Sequence, residues 1–193
     1  MPAIDAHEGI EAEIVRGLYK WQDAPEAAVR ATLIFSGSAH GAVRQAAADL
    51  LEHYGVGCEL WSATSYKNLR EDGLAVERWN RLHPDSHQRT PLVADLLHQA
   101  PGPIIATTDF MKIVPEQVAR FLPDKQFVPL GTDGMGRSDT REALRRHFEV
   151  DAAHVVIATL AALAKEGTVE PSLVKEAMGR YGVDGDSPDP YIL

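Results

Sequence analysis

Short apolar runs with no polar alternation recur along this chain, and a stretch of helical period follows each one. The runs are "ATLIF" at 31–35, "CELWSA" at 58–63 and "PIIATTD" at 103–109. A strand with one wet face alternates apolar and polar residues. A strand apolar throughout needs cover on both faces, as in a parallel sheet between helical layers. After the first run, Val43, Ala46, Ala47, Leu50 and Leu51 repeat with helical spacing in "AHGAVRQAAADLLEHYG". Ser38 is expected to cap that helix, and Gly55 and Gly57 to close the unit. The predicted fold class is therefore α/β: a three-layer α/β/α domain with a mostly parallel sheet.

The other segments fit around these strands. "EIVRGLYKW" at 13–21 reads as a strand. A helix follows the second apolar run; Asn68 and Glu71 suggest a capping box, Gly73 weakens it, and Pro84 ends it. "TPLVADLLHQA" at 90–100 reads as a helix, and Pro115 opens a short one in "PEQVARFL". "QFVPLG" at 126–131 is a fourth strand, and Pro129 argues for an edge or a bulge. Helices are predicted at about 139–147, 151–165 and 171–181. Residues 1–181 read as a single domain and 182–193 as an irregular acidic tail.

Composition narrows the function classes. A chain of 193 residues with 45% hydrophobic content suits one domain with a sizeable core. The net charge of −9 and the lack of any basic run of five argue against nucleic acid and an anionic membrane surface. The longest apolar stretch, "VVIATLAALA" at 155–164, is too short to span a bilayer, and the acidic opening residues do not read as a signal peptide. Cys58 cannot form an internal disulfide; its apolar surroundings suggest a buried thiol and a reducing, cytoplasmic setting.

Three loops invite a functional reading. "FSGSAHG" at 35–41 sits where a phosphate loop would, but lacks both common glycine fingerprints. Gly37 would ease a turn there. "TTDFMK" at 107–112 carries Thr107, Thr108 and Asp109 at a strand end, and Asp109 could pair with Lys112 or face a neighbouring domain. The third loop, "FVPLGTDGMGRSDTREALRRHFEVD" at 127–151, holds Gly131, Gly134 and Gly136. At least one of Gly134 and Gly136 is expected at positive φ, and Gly136→Ala is expected to disturb the loop. Asp139 and Glu142 suggest a capping box. Arg137 is expected to reach out of the loop. Arg141, Arg145 and Arg146 are expected on a solvated or inter-domain face, with Leu144 and Phe148 pointing into the core.

No metal or nucleophile pattern emerges. His83 and His87 are separated by Pro84, His147 and His154 lie on different segments, and His40 and His98 are isolated. Read residue by residue, the chain is an α/β domain with no assigned catalytic, cofactor-binding or metal residues.

Five blocks in order carry a resemblance: "GIEAEIVRGLYKW", "ATSYKNLREDG", "ERWNRLHP", "TTDFMKIVPEQVARFLP" and "LGTDGMGRSDTREALRRHFEVDA". Together they closely resemble the C-terminal domain of the homodimeric bacterial pyruvate dehydrogenase E1 component, a transketolase-like, thiamine diphosphate-dependent family. The resemblance implies a parent enzyme that decarboxylates pyruvate and transfers the acetyl group to lipoyl-E2. It implies thiamine diphosphate and Mg²⁺ in that parent, held by motifs to which no position here corresponds, so no cofactor is expected in this chain. The implied partners are the upstream domains and the second subunit of the E1 homodimer, with E2 dihydrolipoyl acetyltransferase a further option. Asp109 to Lys112 and Thr132 to Asp139 are then expected at inter-domain contacts, and the chain on its own is expected to be inactive. The alternatives are a free-standing nucleotide- or anion-binding module and a partner-docking subunit of a split enzyme.

Overall fold

The computed structural model describes residues 9–192. The expectations for residues 1–8 and for Leu193 lie outside the described residues. Five strands form one sheet in the order β1-β3-β2-β4-β5: β1 (Leu18–Gln22), β2 (Val29–Phe35), β3 (Val56–Ala63), β4 (Ile104–Thr107) and β5 (Phe127–Leu130). The strands from β2 to β5 are mutually parallel, and β1 runs antiparallel to β3 along one edge. Pro129 lies in β5, the other edge strand, where a missing N–H costs the sheet least.

The helices are α1 (Ile10–Arg16), α2 (His40–Tyr54), α3 (Tyr66–Leu82), α4 (Leu92–Leu97), α5 (Ile113–Glu116), α6 (Arg141–His147), α7 (Ala152–Lys165) and α8 (Pro171–Tyr181). Strand residues alternate between two cores. Leu33 and Phe35 of β2, with Cys58 and Leu60 of β3, pack under α2, α7 and α8 through Val43, Leu50, Val156, Leu160 and Ala177. Ile34, Trp61, Ile104 and Ala106 face the opposite side, against Leu69, Val93, Leu97 and Phe121. Both faces are covered, which is why the central strands read as unbroken apolar runs. Cys58 is buried as expected, and burial pushes its thiol up to about 12.

Several local expectations are corrected. Residues 13–16 are helical, and the strand begins only at Leu18. Gly17 separates them at φ +113, donating to the Glu13 carbonyl while its own carbonyl accepts from Thr64 and Ser65. A Cβ there would meet the Ser65 carbonyl at 2.6 Å, so the turn requires glycine. Gly55 closes α2, but Gly57 belongs to β3. Ser65, not Asn68, caps α3, accepting from the Asn68 backbone N–H at 3.2 Å, while Glu71 pairs with Lys67. The helix predicted over 90–100 is shorter. It starts at Leu92, where the Asp72 carboxylate of α3 accepts the Leu92 N–H at 2.6 Å. Pro115 falls inside the first turn of α5, which starts two residues earlier.

A buried carboxylate with a half-exposed cation was not anticipated. Glu59, on the central strand β3, accepts from the Trp61 indole at 2.6 Å and faces Lys20 at 3.0 Å. These partners meet the demand of a buried carboxylate for compensation.

The stretch Arg141–Lys165 has the length and apolar character of a membrane-crossing helix, yet it folds as two helices. Glu149, at φ 57, breaks it, and α7 lies between α2 and α8. Val150 donates back to the Arg145 carbonyl at 2.9 Å, closing α6 in a Schellman-type turn.

Gly73 has a packing role inside α3. A Cβ there would meet the Phe121 ring at 2.5 Å. Gly73→Ala should lower stability despite a helix-propensity gain of about 1 kcal/mol, because overpacking a close contact costs about 1–3 kcal/mol. Urea unfolding checks this; equal or greater stability in the variant would contradict the packing argument.

Candidate functional site

The three loops singled out in the sequence meet at one place, the carboxyl edge of the parallel strands. The first follows β2, the second β4 and the third β5. Ser36 at the end of β2 donates its hydroxyl to Thr108 Oγ1 at 2.7 Å. The Asp109 carboxylate reaches back to accept the Ser38 N–H at 3.0 Å. Thr132 donates through its N–H to the Phe110 carbonyl and through its hydroxyl to the Asp109 carbonyl. Asp133 accepts the Lys112 N–H at 3.0 Å. The loops are stitched to one another rather than left to solvent.

This geometry corrects several expectations. Ser38 makes no side-chain cap: a 3-10 turn over Gly37–Ala39 precedes α2, and the Ser38 backbone is held by Asp109. Asp109 therefore turns to that N–H rather than to Lys112. A carboxylate stands where a phosphate would bind, and it disfavours a second anion at the same N–H. Thr140, not Asp139, caps α6: its hydroxyl accepts the Ala143 N–H, while Asp139 accepts the Thr140 N–H at 2.6 Å. Gly134 takes φ +101, whereas Gly136 is not among the positive-φ glycines.

Arg141 is exposed as expected, but Arg145 and Arg146 are structural clamps. Arg145 Nη2 donates to the Ser38 carbonyl at 2.9 Å, tying α6 to the turn before α2. Arg146 donates to the carbonyls of Tyr181 and Gly182 and faces Asp151 at 3.4 Å. Leu144 and Phe148 stay only half-buried; α6 contributes no fully buried residue. Both line a cavity of about 470 Å³ whose other walls are Ala39, Thr108, Asp109, Thr132, Gly134 and Val150, with Arg137, Asp139 and Arg141 among the charged residues around it. The long glycine-rich loop is the span that carries the chain from β5 across this cavity to α6. The clamps join residues as far as 107 positions apart, and no local signal in the sequence announces them.

Beside the cavity lies an apolar surface. Phe110, Met111 and Ile113 are 58%, 53% and 58% exposed, and Met135 on the neighbouring loop is 73% exposed. The run "FMKI" directly after a strand carried this signal.

The histidines serve local roles. His83 stacks on Trp79 with ring centroids 4.4 Å apart, and His154 contacts the Asp151 carboxylate at 2.6 Å. Among the described residues, no group of three or more His, Cys, Asp or Glu is arranged to hold a metal ion.

An open α/β domain with its loops gathered at the carboxyl edge of an otherwise parallel sheet, and one antiparallel strand at the far edge, defines the class of transketolase C-terminal folds. The chain belongs to the family described as Transketolase-like TK C-terminal domain, which matches residues 17–151. It is 45% identical over 184 residues to the pyruvate dehydrogenase E1 component of Pseudomonas aeruginosa, covering 95% of this chain and 21% of that protein. The E1 component of Escherichia coli K12 is 43% identical over 192 residues, covering 100% and 21%. That of Mycolicibacterium smegmatis is 40% identical over 184 residues, covering 95% and 20%. The chain thus spans about a fifth of the length of these curated relatives. In fold it is similar to transketolase from Campylobacter jejuni, with a TM-score of 0.50 and 16% identity over 83% of this chain and 20% of that one.

Two predictions follow from the loop and its brace. A Cβ on Gly134 would meet the Pro190 carbonyl at 2.5 Å, while one on Gly136 meets nothing within 4 Å. Gly134→Ala should cost about 1–3 kcal/mol, and Gly136→Ala should stay within about 0.5 kcal/mol, read as paired denaturant midpoints. The reverse ranking would refute the loop geometry. For Asp151, burial alone would push the carboxyl up, but hydrogen bonds from His154 and the charges of His154 and Arg146 outweigh it and hold the pKa below its usual value. Its stabilising contribution is present above the unfolded-state pKa and is lost as pH falls through the depressed folded-state one. Asn also caps helices well, so Asp151→Asn should be less stable than the parent chain near neutrality. The gap should close on acidification below about pH 4. A gap independent of pH would count against this role for Asp151.

Proposed function

We propose that this chain is the C-terminal domain of a pyruvate dehydrogenase E1-type polypeptide and serves its assembly and active-site support. On this reading residues 1–181 form the domain and 182–193 an acidic tail. The full polypeptide works in the cytoplasm. It uses thiamine diphosphate and Mg²⁺ to decarboxylate pyruvate and passes the acetyl group to the lipoyl group of E2 dihydrolipoyl acetyltransferase. The residues for that chemistry belong to the upstream domains, and this chain alone is inactive. The near-complete alignment with E1 components supports the assignment.

The observation that carries the assembly role is the apolar surface of Phe110, Met111, Ile113 and Met135. Large apolar side chains clustered on stitched loops favour burial against another protein surface. The stitching supports this: loops held by mutual hydrogen bonds lose little further freedom on docking. The partner surface is an upstream domain or the second E1 subunit. Arg137, on the same loop, suits bidentate pairing with a carboxylate at the rim of that contact.

Two measurements test the reading. Calorimetry of the chain with thiamine diphosphate and Mg²⁺ should show no micromolar binding, and no pyruvate turnover should exceed the buffer control. In the full polypeptide, Phe110→Ser with Met111→Ser should weaken domain docking or dimerisation by tenfold or more, about 1.4 kcal/mol. Arg137→Ala should act in the same direction. The melting temperature of the 193-residue chain should change little with any of these substitutions. Equal losses in chain and full polypeptide, or no loss in the latter, would defeat the assembly role.

A further inference from the structure

The chain enters the fold at the same edge as the recess. Leu18 of β1 pairs with Ala63, the last residue of β3, so the antiparallel strand begins where the parallel strands end. Helix α1 stands directly before it. The Thr64 hydroxyl donates to the Ile14 carbonyl at 2.6 Å, and the Asn68 side-chain amide donates to the Val15 carbonyl at 3.0 Å. Ile14 and Val15 are themselves 38% and 71% exposed. On the E1-type reading, most of the polypeptide precedes α1 and reaches the domain from this edge.

We propose, resting on that reading, that the recess is the socket for one large uncharged side chain, aromatic or branched aliphatic, supplied by the preceding part of the same polypeptide. Its volume of about 470 Å³ lies within the range of clefts that hold an organic group, about 300–1,000 Å³. The exposed apolar residues border it. Phe110 follows Asp109, and Met135 stands between Gly134 and Gly136; all three of those neighbours line the recess. In protein contacts a few side chains seated in pockets near the centre of the interface carry most of the binding energy. A segment tethered through α1 meets the recess at high effective concentration, whether or not two subunits associate.

Charge selects an uncharged occupant. Arg141 and Arg145 are balanced by Asp109 and Asp139, and Arg137 has a partner of its own. Asp109 and Asp139 accept the N–H groups of Ser38 and Thr140, and Arg145 donates to the Ser38 carbonyl. A charged tip placed here would lose hydration with no net field to compensate it. The apolar walls ask for the opposite. Ala39 and Val150 are buried, while Leu144 and Phe148, one helical turn apart, stay only half-buried. An apolar side chain seated between them removes from water the area that this domain leaves wet, and it breaks none of the bonds around the rim.

Two measurements test the socket. In the 193-residue chain, 3-phenylpropan-1-ol at millimolar concentration should give saturable amide shifts at Ser38, Thr108, Gly136 and Leu144. The charged analogues 3-phenylpropionate and 3-phenylpropylammonium should bind no more tightly. Leu144→Trp should fill the space and abolish these shifts while the rest of the amide spectrum stays native. In the full polypeptide, Met135→Cys places a thiol at the rim, and labelling with N-ethylmaleimide is resolved by peptide mass. Cys58 is buried, with its thiol pushed up to about 12, and stays unlabelled. Labelling at position 135 should be about tenfold slower in the full polypeptide than in the 193-residue chain. Adding Leu144→Trp should bring the two rates to within about twofold of each other, with the milder Leu144→Phe in between. Equal rates without those changes would remove the docking surface and the socket with it. Protection left unchanged by whichever of Leu144→Trp and Leu144→Phe keeps a native amide spectrum would overturn the socket alone. An absence of saturable shifts with the alcohol, or about tenfold tighter binding of either charged analogue, would overturn it as well.

Discussion

The architecture rests on the covering of both faces of a parallel sheet. Once α2, α7 and α8 take one face and α3 and α4 take the other, no strand interior is left for exposed polar chemistry. Recognition must then sit where the strands end. The chain follows this logic closely. The polar residues Ser36, Thr108 and Asp109 appear at the ends of β2 and β4, and each is used to join one loop to another. The bond from Ser38 N–H to Asp109 has two effects at once: it fixes the entry to α2, and it places a carboxylate where an external phosphate would otherwise be held.

Two features share that edge and differ in physical character. The surface of Phe110, Met111, Ile113 and Met135 projects outward and is suited to a broad protein contact. The cavity under the glycine loop is recessed and mixes apolar walls, Leu144, Phe148 and Val150, with side chains of both charges. The loop from Thr132 to Asp139 belongs to both, since Met135 faces out while Gly134 and Gly136 line the recess.

Much of the layered fold was legible because its signals are local. Apolar runs gave β2, β3 and β4 within a few residues, and the period of Val43, Ala46 and Leu50 gave α2. Pro129 marked an edge strand for a reason that holds in the structure, its missing donor. Misreadings clustered at caps and turns, where neighbouring residues compete for the same role. Ser65 and Thr140 cap their helices although Asn68 and Asp139 offered similar chemistry. Gly17 hid a helix inside an apparent strand: it is the left-handed C-cap of α1, and the Ser65 carbonyl, 48 residues away, leaves no room for a Cβ there. The site was legible as three separate loops but not as one place. Its defining contacts, Asp109 to Ser38 and Arg145 to Ser38, cross long sequence distances and leave no periodic trace.

Helix α6 is fastened by side-chain clamps and not by burial. None of its residues is fully buried, and its hold on the body runs largely through Arg145 to the Ser38 carbonyl and Arg146 to those of Tyr181 and Gly182. A segment attached in this manner opens at a small fraction of the free energy of global unfolding. Its attachment therefore depends on polar contacts at both of its arginine anchors, while the sheet and its two cores depend on burial. Two guanidinium groups thus rivet α6 to distant backbone, and salt, which screens charge but leaves buried apolar contact intact, should be felt at these rivets before it is felt in either core.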